Sequence, residues 1–463
     1  MTEPESTVAG RLAAVLVAGR SAGVAADERH EAKRLLLNQL KASVGAADHP
    51  AIAALRDWTL EAGSTGRQAH VLWLGDTTAS EQAALLNAAL FEVLDFNETH
   101  LGTYVHATSA VAPAVLAEAE VHGGSGRLVL DALALGLEVD LVVATMLMPN
   151  AYVRGFTPGV LVGGVGAAAA VSVLRGFDLE TTRNALAIAM CSATGAMESI
   201  GSSAHVYNQG LAARAGVTAC QLAARGIETA PTAFEGEKGM LSSFSGESPD
   251  RIEGVLSALG RGRWLMRDQA YKRLPTETIT QAPIDCVLAI RNRFAGEALP
   301  EVERLTFRVD PLVARVSAER FARFGTPRND LQARFDLRFC AASAWTRGRF
   351  TLAEMAEAAY TDPAILALRS RVDVEADDRY TINGAALELR FADGRVETAE
   401  IDPFRGASMN PLGDDELSAV FRAAAAGVIP DAQAETVLAA LWSLDEAPGV
   451  GGLVAATLPG GPR

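Results

Sequence analysis

The chain has 463 residues, of which 49% are hydrophobic and only 6% aromatic. That length exceeds what one hydrophobic core fills, so at least two domains are expected, with an Ala, Leu and Val interior that lets helices approach closely. A formal charge of -15 excludes nucleic acid and anionic membrane surfaces as main partners, because both need basic surface to neutralise phosphate.

The opening stretch MTEPESTVAG is acidic and lacks the basic-then-apolar order of a signal peptide. From about residue 30 to 265 the pattern is helical almost throughout. AKRLLLNQLKASV has apolar residues at i, i+3 and i+4, and TASEQAALLNAALFEVL opens with a T-x-x-E capping box at Thr78 and Glu81. Next comes the polar dozen DFNETHLGTYVH, residues 95 to 106, between two apolar helices. It reads as a helix end plus a connection, with Asp95 and Thr99 at i and i+4 stacked on one helix face. Such a loop either caps helix ends or carries functional groups on a rigid scaffold. His100, His106 and Asp95 also have a bare metal-like spacing, but histidines six apart face different sides of a helix and no further His or Cys supports them, so no metal is expected.

FTPGVLVGGVGAAAAVSVL, residues 156 to 174, approaches membrane-spanning length, yet its Gly and Ala content and the absence of a second such run predict a buried helix. Within it Gly164, Gly166 and Ala169 match G-x-G-x-x-A. A dinucleotide site would need a strand before the motif and a second strand with an acidic residue about 20 positions on. Another helix, capped by Asp178, follows instead, so the glycines predict close helix packing and no cofactor.

After RLPTETITQAP the texture changes. RLTFRVD, RVDVEA and ALELRF alternate with period two, and FADGRVETAEI predicts a hairpin turning at Asp393-Gly394. Between them stand a capping box at Thr351 and Glu354 and a helix start at Asp362-Pro363. From 413 the pattern returns to helix. The expected architecture is mainly α: a large helical domain built from both chain ends, residues 1–268 and 404–463, and a smaller α/β lid, residues 269–403. Cys191, Cys220, Cys286 and Cys340 form no C-x-x-C pair and lie in apolar stretches, which predicts buried thiols and a cytoplasmic setting.

Five segments in order, LDFNETHLGTYVHATSAVAPAVLAEAE, RGFTPGVLVGGVGAAAAVSVLRGFDLETTRNALAIAMCSATG, NQGLAARAGVTACQLAARGI, KRLPTETITQAPIDCV and ARFDLRFCAASAW, resemble the MmgE/PrpD family of 2-methylcitrate dehydratase, cis-aconitate decarboxylase and iminodisuccinate epimerase relatives. The resemblance implies a helical domain, an α/β lid, a cleft between them, a homodimer, and cofactor-independent chemistry on small di- or tricarboxylates. Asp95, Thr99, His106 and Lys272 match the family's site motifs. Elsewhere the chain departs: Thr157 stands where the family has His, His205 where it has Lys, Asn208 where it has His, and Phe339 where it has Tyr.

Proton abstraction next to a carboxylate needs a base of suitable pKa, cations for the anionic substrate, and donors for the developing charge. His106 and His205 are candidate bases, Asp95 can orient an imidazole or hydrogen-bond substrate, Thr99 is a further catalytic candidate through the resemblance, and Lys272 is a clamp that meets substrate when the lid closes. Tyr152, Arg154, Thr157, Asn208 and Gln281 are candidates for substrate contact. The expected function is a dehydratase-type lyase. Alternatives are a two-base epimerase, favoured by His205, and a non-catalytic carboxylate binder, motivated by the altered segments.

Overall fold

The computed structural model describes residues 6–63, 68–246, 249–258 and 263–460; residues 1–5, part of the acidic opening stretch, lie outside them. Two hydrophobic cores organise the chain. One joins residues 8–266 to residues 412–456, with Tyr271 and Leu331 packed into it, and the other gathers most of the buried apolar residues of 270–407. The fold is mainly α, with a helical domain built from both chain ends and a smaller α/β unit.

The helix Pro158–Arg175 is the centre of the helical domain, enclosed by Ala107–His122, Gly126–Leu147, Leu179–Met190 and Ser203–Ala223. Its Gly and Ala residues let these neighbours come very close. A Cβ at Gly216 would stand 2.4 Å from the Ala167 Cβ and 2.8 Å from the Gly164 carbonyl, and one at Gly166 would stand 2.6 Å from the Asp140 Cβ. The G-x-G-x-x-A match is therefore a packing surface inside a helix. Gly216→Ala is expected to destabilise the protein by about 1–3 kcal/mol through overpacking, read as a lower urea midpoint at unchanged slope.

Local cap chemistry sets several helix starts. Asp178 accepts from Thr181 N at 2.8 Å, Asp362 accepts from Ala364 N at 2.8 Å ahead of Pro363, and Thr351 with Glu354 forms the expected capping box. Thr78 does not cap: it pairs with Ala69 in a short antiparallel ladder, and the helix begins at Ser80 with no side-chain cap. Strand pairing has claimed the backbone that a capping box would use. Cys220, Cys286 and Cys340 are buried, whereas Cys191 is exposed just past the helix Leu179–Met190, so the expectation of four buried thiols fails there.

The α/β unit holds a four-stranded sheet in the order Val372–Ala376, Val302–Val309, Ala385–Phe391, Val396–Ile401. The first two strands run parallel and the remaining pairs antiparallel. The last two form the hairpin turning at Asp393-Gly394, where Gly394 takes φ 87° and Asp393 accepts from Arg395 N at 3.0 Å. Helix Gln281–Arg291 packs on this hairpin and Pro311–Phe324 on the strand Val372–Ala376.

Two fasteners hold the domains in register. Thr99–His100 pairs antiparallel with Gln269–Ala270, and the buried Arg334 donates to the carbonyls of Leu94 and Pro275, both at 2.9 Å. The first ties the polar dozen, and the second the residue just before it, to the start of the α/β unit.

Candidate active site

The helix Ser80–Glu92 ends just before Asp95, whose φ of 45° turns the chain sharply. Asp tolerates the left-handed region better than most residues. Tyr104, at φ 59°, is bulkier and less tolerant, so both ends of the polar dozen hold strained backbone of the kind that collects at functional sites. The expected i, i+4 stacking of Asp95 and Thr99 does not occur, because the helix has stopped and Thr99 lies in the short strand.

Asp95, Thr99 and His106 nevertheless meet Lys272 at one cavity of about 120 Å³ between the domains. Lys272 has no exposed surface; its Nζ donates to Asp95 Oδ1 at 2.7 Å and to the Asp95 carbonyl at 3.0 Å. Burial alone would raise the Asp95 carboxyl, but Lys272, then His106, hold it below the ordinary carboxylate range. Its second oxygen, Oδ2, is buried without a partner. Lys41, also buried, donates to the Lys272 carbonyl at 2.8 Å and lies 3.8 Å over the Phe96 ring, which fixes the backbone beneath the ammonium.

His106 precedes the helix Ala107–His122. Its Nδ1 donates to the Glu98 carbonyl at 2.6 Å, which leaves the lone pair on Nε2, and Gln209 donates to its carbonyl at 3.3 Å. Burial, then the Lys272 ammonium, lowers the imidazole to about 4, so it is neutral at physiological pH. Glu98 is an internal brace: it accepts from Asn38 and Gln39 and caps the helix by accepting from Thr108 N at 3.0 Å. Thr99 Oγ1 lies 2.7 Å from Thr278 Oγ1 and 3.2 Å from His106 Nδ1.

His205 lines the same cavity from the first turns of Ser203–Ala223. Burial lowers its imidazole to about 4, and its Nδ1 is buried without a partner. Glu92 Oε1 stands 3.8 Å from His205 Nε2, beyond hydrogen-bond reach. Burial, then Asp95, raises the Glu92 carboxyl to about 8, so at neutral pH this is a contact between an uncharged acid and an uncharged base. Thr157 lines the cavity with its hydroxyl unpartnered, and Tyr152 lines it while packing on Tyr104 with ring centroids 5.3 Å apart.

Three candidates for substrate contact lie elsewhere. Arg154 is exposed and off the cavity, because its backbone caps the short helix Asn150–Val153 and sends the side chain outward. Asn208 is one position round the helix from Gln209, which does line the cavity; Asn208 donates to Ser199 Oγ at 3.1 Å instead. Gln281 is buried as a fastener of its own loop, accepting from the Arg273 and Leu274 amides at 3.2 Å and donating to the Leu274 carbonyl at 3.0 Å. Phe339 is buried in the α/β core, so a phenol missing there takes nothing from the cavity wall.

The cavity also holds groups that sequence reasoning missed. Arg320, from Pro311–Phe324, pairs with Glu277 and lies 4.9 Å over the Phe335 ring. Nothing in PLVARVSAERFARF separates Arg320 from its neighbouring arginines. Glu92 was findable, since a lone carboxylate near the end of the apolar helix AALLNAALFEVL must have a reason to be buried.

Between the helical domain and the α/β unit, one cavity thus brings together an ammonium–carboxylate pair and two imidazoles that burial keeps neutral. The chain belongs to the MmgE/PrpD family. The family's N-terminal domain matches residues 10–253 and its C-terminal domain residues 274–445. Human cis-aconitate decarboxylase is 26% identical over 378 residues, covering 79% of this chain and 76% of the relative. The cis-aconitate decarboxylase-like protein oryM of Aspergillus oryzae is 24% identical over 479 residues, covering 98% and 97%.

Proposed function

We infer that the protein is a lyase-type enzyme acting on a small carboxylate, and that it works by taking a proton from carbon next to a carboxylate without a cofactor. Family membership and the cis-aconitate decarboxylase relatives support the lyase class. The observation that carries the mechanism is His106: a neutral imidazole with Nδ1–H committed to the Glu98 carbonyl, lining the same cavity as the Lys272–Asp95 pair.

In the dehydratase form, His106 Nε2 takes the α-proton while Lys272 and Thr99 stabilise charge on the adjacent carboxylate. The carbon–carbon double bond forms as the β carbon–oxygen bond breaks, and Glu92, still protonated, gives its proton to the departing hydroxyl, which leaves as water. A second reading, epimerisation, is favoured by one specific feature, a second neutral imidazole, His205, lining the same cavity.

Incubation with 2-hydroxy di- and tricarboxylates in deuterated water tests both. Ultraviolet absorbance of a new conjugated alkene is expected, with deuterium entering at the α carbon. Deuterium entry with inversion and no alkene would replace the dehydratase by the epimerase. Binding of these acids with neither exchange nor alkene would leave a carboxylate-binding protein and end the enzymatic reading.

A further inference from the structure

The cavity is lined by side chains of two chemical kinds. Asp95, His106, His205 and Lys272 form one, and the other is apolar: Ile200, Ile279, Leu312, Val313, Val316 and Phe335, most of them from the α/β unit. The cationic charge is already matched. Lys272 is held by Asp95 at 2.7 Å and Arg320 by Glu277, while Glu92, His106 and His205 are uncharged near neutrality. A citrate-like tricarboxylate would bring three carboxylates to two cations, each already shared with a protein carboxylate, and leave the third with none, whereas an alkyl group would gain a surface already shielded from water.

Resting on the lyase reading above, we propose that the ligand of this cavity carries no more than two carboxylates, which meet Lys272 and Arg320, and an alkyl arm that lies against Ile200, Ile279, Leu312, Val313 and Val316. The substrate class is then an alkyl-substituted dicarboxylate. Arg320 and the apolar wall set the specificity, and the imidazoles and Lys272 carry the chemistry.

Calorimetric titration of the full chain with three unreactive acids, methylsuccinate, n-butylsuccinate and tricarballylate, tests the assignment. Three further methylenes leaving water raise affinity at least about tenfold from methyl to butyl, and tricarballylate binds more weakly than methylsuccinate. Val316→Asp and, independently, Leu312→Asn bring the butyl-to-methyl ratio close to one. A flat series, tightest binding of tricarballylate, or no binding of any of the three would overturn the proposal. A chain-length gain in a protein that exchanges no α-proton would keep the ligand class and remove the lyase reading; exchange with tricarboxylates preferred would do the reverse.

Discussion

Lys272→Met abolishes most turnover, by about 10²–10³-fold as for loss of a charge-stabilising donor, and also lowers stability by about 3–5 kcal/mol. Both effects have one origin. The ammonium is wholly buried and supplies two hydrogen bonds to Asp95, whose other carboxylate oxygen already lacks a partner. Removing it strands a negative charge away from water, and the Asp95 carboxyl, now held below the ordinary range, would rise until it took up a proton. The double variant Lys272→Met, Asp95→Asn removes the stranded charge and is expected to recover most of the stability in urea denaturation while leaving turnover low. If the double variant recovered both, the pair would be only a structural tie between the domains.

The pH profile of kcat/KM is expected to be flat from about 4 to about 8, a window displaced from that of unperturbed groups. The acid limb belongs to His106, which is an effective base only when unprotonated. Burial, then Lys272, brings it to about 4, whereas a free imidazole would place this limb near about 6.5. The alkaline limb belongs to Glu92, which can donate only while protonated; burial, then Asp95, raises it to about 8. His106→Asn should cost about 10²–10⁴-fold in kcat, and Glu92→Gln should erase the alkaline limb while lowering the plateau. An acid limb near about 6.5 in the native enzyme would mean that the base is an exposed histidine outside this cavity.

Elements governed by neighbours in the chain were legible in advance. Asp178, the Thr351 capping box, Asp362-Pro363 and the Asp393-Gly394 turn all act across two or three residues, so their chemistry is written locally. Thr78 escaped because its fate depends on Ala69, nine residues away, and Cys191 because an apolar neighbourhood in sequence does not decide which side of a helix end meets solvent.

The site divides along the same line. Asp95, Thr99 and His106 lie within twelve residues and stood out as a polar patch in an apolar chain. Arg154, Asn208 and Gln281 had the right chemistry, but one points outward, one misses the cavity by a single helical position, and one is used up by its own loop. Composition and periodicity by themselves determined a mainly α chain with an α/β segment, and singled out its polar dozen as the place to look for chemistry. Only the tertiary structure decided that Lys272, 177 positions away, closes on Asp95, that Glu277 occupies Arg320, and that burial leaves both histidines neutral. Pairing distances and dielectric surroundings come from contacts between distant segments, and no local spacing encodes them.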